Sequence, residues 1–204
     1  MHTIDPASLT DRDNYKLLIG SVIPRPIAFV TTLSPGGVVN AAPFSYFNIV
    51  SSNPPLLSIA VQRKNGAQKD TARNAIATGQ LVVHISDETY VAQLNETAAS
   101  LPPEESEVAL AGLTPVASAK VAVPGVAEAR IRMECVLEQA IPLGGAEGGL
   151  PSTDLLIARV VQYHFDSSVY NNGYIDAEAL KPVSRLAGNW YARLGEQFEL
   201  ERPN

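Results

Sequence analysis

Arg25-Pro26-Ile27-Ala28-Phe29-Val30-Thr31-Thr32-Leu33, then Ser34-Pro35-Gly36-Gly37, then Val38-Val39-Asn40-Ala41-Ala42 is the stretch that sets the fold. Its first run is apolar and β-branched, a composition suited to a pleated, buried strand. The Pro-Gly cluster stops that run, because proline fixes φ and glycine admits the left-handed conformations of tight turns. The second run then resumes the strand. The whole reads as a β-hairpin.

Outward from this hairpin the pattern stays β-rich. Leu56 to Val61 is a strand whose direction is fixed by the preceding Asn53-Pro54-Pro55. Leu81 to Ile85 is a short strand, and Ala129 to Gln139 and Leu155 to Phe165 are longer ones expected to pair around the glycine-rich loop Pro142 to Gly149. Three segments read as helices. Lys69 to Gly79 opens on capping residues, spaces its apolar positions helically and closes on glycine. Asp13 to Gly20 makes one or two turns, and Glu88 to Ala98 leads into the charged stretch Pro102 to Glu107, expected to be a surface excursion. Six or seven strands with few helices, and no βαβ alternation, predict a mainly β chain built as an antiparallel barrel. With 204 residues the expectation is one domain over 1–204.

Composition removes several function classes. A net charge of −6, from 15 basic and 21 acidic side chains, does not steer the molecule toward nucleic acid or an anionic membrane. No apolar run is long enough to span a bilayer, and the first residues lack both a basic and an apolar signal region, so the expected place is the cytoplasm. Cys135 is the single cysteine, which excludes an intramolecular disulfide; its place in mid-strand predicts a buried structural thiol. His2, His84 and His164 stand far apart, so no metal site is expected, and His84 and His164 read as hydrogen-bonded structural residues. Walker, G-x-G-x-x-G, G-x-S-x-G and H-E-x-x-H patterns are all missing. A nicotinamide, if used, is therefore not held by a Rossmann unit.

Two segments carry chemistry. Gln62 to Arg73 gathers Arg63, Lys64, Lys69 and Arg73 with a single acid in an otherwise acidic protein, at the start of the helix read over Lys69 to Gly79. Free N–H groups and the positive helix end would favour a phosphate there. The plain alternative is a solvated basic loop with Asp70 or Thr71 serving only as N-cap. Asn40 to Ser52 alternates small, aromatic and hydroxyl residues, a mixture suited to a cofactor pocket. Its alternative is a β-corner turning through Pro43, with Phe44 and Phe47 in the core.

Arg25-Pro26 leading into Thr31-Thr32, Asn40-Ala-Ala-Pro-Phe-Ser45, Ser51-Ser-Asn-Pro-Pro55 and Lys69-Asp-Thr71, in this order and spacing, resemble the flavin reductase-like family, including its flavoredoxin relatives. Pro182-Val-Ser-Arg185 and Tyr191 extend the likeness to the C-terminal part. The resemblance implies an FMN-binding split β-barrel that forms a homodimer, with FMN near the subunit interface and NADH or NADPH as electron donor. Carried onto this chain, it implies that Asn40, Ala41 and Ala42 approach the flavin ring and that Ser45, Ser51 and Ser52 lie near the ribityl chain and phosphate. Arg63, Lys69 and Thr71 become phosphate ligands, while Arg185, Trp190 and Tyr191 close the site or reach across the dimer. For Trp190 a packed hydrophobic anchor is the competing role.

The implied activity is NAD(P)H-dependent flavin reduction, with a partner oxygenase or other electron acceptor protein downstream. Such chemistry belongs largely to the cofactor and needs no protein nucleophile. Three alternatives stand beside it: reduction of a small organic compound, non-catalytic electron transfer or storage of flavin, and oxidation of a pyridoxine phosphate.

Overall fold

The computed structural model describes residues 1–145 and 148–203. In it, α1 (Asp11–Ser21) is followed by the expected hairpin, β1 (Ala28–Leu33) and β2 (Val39–Phe44), paired from Ala28↔Phe44 to Leu33↔Val39. A second hairpin, β3 (Phe47–Ser52) and β4 (Pro55–Gln62), leads to α2 (Asp70–Thr78) and β5 (Gln80–Ile85). Next come α3 (Val91–Glu96), α4 (Glu107–Leu110) and the small ladder of β6 (Pro115–Val116) with β7 (Gly125–Val126). β8 (Ile131–Leu143) and β9 (Thr153–Phe165) pair as the long hairpin. The chain finishes with β10 (Tyr170–Asn171) on β11 (Tyr174–Ile175), α5 (Ala177–Leu180), and β12 (Val183–Arg185) on β13 (Tyr191–Arg193).

Seven strands form one antiparallel sheet in the order β2-β1-β5-β8-β9-β4-β3. β2 and β3 occupy its opposite edges, yet only Ser45 and Tyr46 join them. Laid flat, the two edges would lie roughly 29 Å apart, six strand spacings, while so short a link spans about 10 Å. The sheet must therefore roll until its edges approach. Ala60 N–H donates to Tyr46 O at 2.8 Å beside the seam, and β2 and β3 themselves do not pair, which leaves the barrel split along one side.

β1 is buried on both faces, which is why its sequence is almost continuously apolar. Ala28 and Val30 face the barrel interior with Ile59, Val61, Leu81, Val83 and Leu156, against which α2 packs Ala72 and Ala75. Ile27 and Phe29 face outward, where Tyr90, Leu94, Val108 and Leu113 cover them. His84 is wholly buried in β5, its Nδ1 2.9 Å from Phe29 O and its Nε2 accepting Val126 N–H at 3.0 Å. Burial pushes its pKa down to about 4, so it is a neutral structural tie, as read from the sequence.

Two expectations and two of the alternative readings need correction. Asn40 to Ser52 contains β3, and the alternative reading of a corner through Pro43 fails: Pro43 sits inside β2 opposite Phe29, and the turn falls at Ser45 and Tyr46. β3 leaves Ile49 and Val50 exposed at the sheet edge, so it lacks the alternation that marks a strand. Phe44 is buried and Phe47 packs on the core all the same. The N-cap of α2 is Lys69, and neither Asp70 nor Thr71 caps it. Helix α3 is shorter than Glu88 to Ala98, and the charged stretch before α4 ends in a buried residue, Glu107, 5% exposed. In the loop between β8 and β9, Ala146 and Glu147 lie outside the described residues. Among the described residues no helix is long and apolar enough to cross a membrane.

Candidate functional site

Every α-helix begins with N–H groups that have no partner inside the helix. At α2 no side chain supplies one: Lys69 occupies the cap position without a capping hydrogen bond. This end opens into a cavity of about 550 Å³. Lys64, Lys69, Thr71 and Arg73 line one side, Asn40, Ala42 and Phe44 another, and Thr97 to Leu101 with Glu107 a third. Arg73 pairs with Asp70 of the same helix. A smaller cavity of about 140 Å³ shares Pro43, Phe44 and Lys69 with the first and continues past Ser45 and Tyr46 to Arg25 and Arg185. The two adjoin as one groove over the end of β2.

Arg63 and Asp154 shape the approach to α2. Arg63 Nε and Nη2 donate to the Asp154 carboxylate at 2.9 and 2.7 Å, and Gln68 Nε2 adds a third donor at 3.1 Å. These bonds pin both ends of a tight turn in which Asn65 and Gly66 have φ of 52° and 78°. Burial would raise the Asp154 carboxyl, but the Arg63 and Gln68 bonds outweigh it and hold the pKa below the ordinary value.

Arg25 anchors the other end. Its Nη1 donates to Ile19 O at 2.7 Å and Val22 O at 2.6 Å, satisfying carbonyls at the C-terminus of α1, where the helix dipole favours a cation. Nη2 reaches Leu186 O at 2.9 Å, and Nε faces Ser45 Oγ at 3.3 Å. One buried guanidinium thus joins α1, the β2–β3 turn and the C-terminal segment.

Of the residues that the sequence put forward, Asn40, Ala42, Lys69 and Thr71 line the main cavity, and Ser45 and Arg185 join Lys69 in the smaller one. Ala41 turns its side chain into the outer core and offers its N–H to Glu107 at 3.1 Å. Arg63 is committed to Asp154. Ser51 and Ser52 lie at the far end of β3, roughly 20 Å beyond Ser45 along the strand. Trp190 is 75% exposed and packs into no core. Tyr191 lies under the Arg185 guanidinium, 4.5 Å from ring centre to Cζ, and its hydroxyl donates to Asn95 Oδ1 at 2.8 Å, outside the groove.

Sequence reasoning missed Glu107. An acidic stretch next to two prolines carries no pattern that distinguishes a solvated carboxylate from a buried one. It also gave Arg25 no role, although the Arg25-Pro26 motif had drawn notice.

A split antiparallel barrel with a helix N-terminus opening beside its seam is the fold of solved flavin reductase and flavoredoxin split-barrel proteins. Residues 19–180 match the flavin reductase like domain, and the chain belongs to the flavin reductase-like family. It is 58% identical over 206 aligned residues to an uncharacterized protein, YwrF, of Bacillus subtilis strain 168, covering all of both chains. Nitrilotriacetate monooxygenase component B from Bacillus cereus is 64% identical, with a TM-score of 0.96 over 98% of each chain. Pseudomonas fluorescens 2-nitrobenzoate 2-nitroreductase is 32% identical, with a TM-score of 0.84 over 99% of this chain and 96% of that one. Flavoredoxin of Desulfovibrio vulgaris (Miyazaki F), 23% identical, shares the fold with a TM-score of 0.75 over 88% and 91%.

Proposed function

We propose that this protein is an FMN-binding, NAD(P)H-dependent flavin reductase of the cytoplasm that works as a homodimer of one-domain chains and supplies a partner oxygenase. The observation that carries the reading is the uncapped N-terminus of α2, opening with Lys69 and Thr71 onto a groove with small residues on another wall. Free N–H groups and a lysine suit a phosphate. Ala42 leaves room for a planar ring to approach the strand. The donors present fit FMN, which when bound would take hydride from the nicotinamide and hand electrons onward.

In this reading Lys69 and the first N–H groups of α2, that of Thr71 among them, hold the phosphate, while the Thr71 hydroxyl is committed to Asn40 Oδ1. Ser45 and Arg185, with Arg25 fixing Ser45, border the smaller end of the groove. Arg63 acts indirectly, by shaping the turn before α2. Ser51, Ser52 and Trp190 lie outside their own chain's groove and contribute only across a subunit interface. Exposed Ile49 and Val50 on the edge strand β3 support such an interface.

The likeness to a monooxygenase component B at 64% identity supports a partner oxygenase. A second reading, in which the bound flavin reduces a small nitroaromatic compound, is supported by the 32% identity to a nitrobenzoate nitroreductase. One experiment tests both. Purified protein is titrated with FMN and with FAD, then given NADH or NADPH anaerobically while the visible flavin bands are recorded. Bleaching by a nicotinamide is the expected result, and the consumption of excess nicotinamide in the presence of free flavin or of 2-nitrobenzoate then shows which acceptor is turned over. A flavin that is bound and never bleaches excludes the reductase reading, and a protein that binds no flavin excludes both.

A further inference from the structure

The polar side chains under the groove are committed to one another in a way that leaves one acceptor over. Asn40 Oδ1 accepts from Thr71 Oγ1 at 2.9 Å and from Thr32 Oγ1 at 3.2 Å, which uses both lone pairs of that carbonyl. Asn40 Nδ2 donates to Glu107 Oε2 at 3.0 Å, and Ala41 N–H donates to the same oxygen at 3.1 Å. Asn40 is thereby locked into the protein's own network. A carboxylate has about four acceptor positions on its two oxygens. Apart from Glu107's own backbone N–H, no further donor among the described residues reaches this carboxylate. Lys64, Lys69 and Arg73 line the same cavity, but none of them pairs with it.

Glu107 is therefore 5% exposed, lines the cavity and is short of donors. Burial pushes its carboxyl above the ordinary range and the Asp70 carboxylate adds to the rise, against the opposing bonds from its own N–H, Ala41 and Asn40. Among the described residues only Asn74 Oδ1 is a buried side-chain acceptor without a partner, so Glu107 Oε1 is open to the cavity, where its free acceptor positions are available to a ligand that displaces water.

We propose that Glu107 Oε1 accepts a hydrogen bond from the bound flavin, from either the imide N–H of the ring or a hydroxyl of the ribityl chain, and so helps to select the ligand. This rests on the flavin reading above. The test titrates three oxidised flavins into wild type and Glu107→Gln, following flavin fluorescence. They are FMN, N3-methyl-FMN, which lacks the imide donor, and an FMN analogue with a phosphopentyl chain, which lacks the hydroxyls. In Glu107→Gln the amide oxygen stays with the two donors Asn40 and Ala41, so the NH₂ group turns to the cavity and can no longer accept.

Wild type is expected to bind one of the analogues about 10- to 100-fold more weakly than FMN. Glu107→Gln should weaken FMN by a similar factor and abolish the discrimination. An unchanged FMN affinity in a folded Glu107→Gln protein, or the same preference in both proteins, overturns the proposal. Should that variant fail to fold, wild type decides alone, and equal affinity for all three flavins overturns it. Wild type that binds none of the three overturns the flavin reading itself.

Discussion

At the scale of single residues, the buried carboxylates predict how the protein responds to acid. Burial alone would raise Asp154 and Glu134. In Asp154 the Arg63 and Gln68 bonds reverse the direction; in Glu134 the N–H groups of Ala119, Lys120 and Val121 and the His164 ring do so. Both folded-state pKa values therefore lie below the unperturbed 3.8 and 4.5. Their stabilisation is fully present above those values and is lost as pH falls through the lowered ones. Asp154→Asn should be less stable than wild type at neutral pH and should lose stability less steeply in acid. Thermal midpoints measured from neutral pH down into the acid range check this, and parallel curves would contradict it. Cys135 gives a second prediction. Burial pushes its thiol up to about 12, so the native protein should resist iodoacetamide at mildly alkaline pH and react fully once unfolded, as mass spectrometry would show.

Among the elements, α2 carries both the core and the site, and its two ends can be perturbed separately. At its C-terminus Gly79 has φ 69° and its N–H bonds Ala75 O, the left-handed cap that glycine adopts without strain. Nothing lies within 4 Å of a Cβ added there, so Gly79→Ala costs only the backbone term, about 1 kcal/mol. Denaturant unfolding measures it, and FMN affinity should not change. At the N-terminus Lys69→Ala should leave stability nearly unaltered and weaken FMN about 10- to 100-fold. An unchanged affinity would move the phosphate away from this helix. The contrast between the two ends separates folding from binding within one short element.

For the whole molecule, the homodimer reading predicts a mass in solution of about twice the chain's 21.7 kDa by light scattering, with Ile49→Asp shifting it toward one chain. The sequence alone determined the β-rich architecture, the β1–β2 and β8–β9 hairpins and α2, because each rests on local periodicity and turn chemistry. It also marked Lys69 and Thr71, since a basic run at a helix start is a local signal. It did not show β3, whose edge position removes the alternation that marks a strand, or Glu107, whose burial depends on α4 folding back over β2. Arg63 illustrates the same limit: its charge was legible, and its partner Asp154, 91 residues away in sequence, was not. Which cations remain free, which carboxylate faces the groove and how the sheet rolls until its edges meet were decided by tertiary structure. Each depends on contacts between segments far apart in the chain, and composition and spacing encode only neighbours.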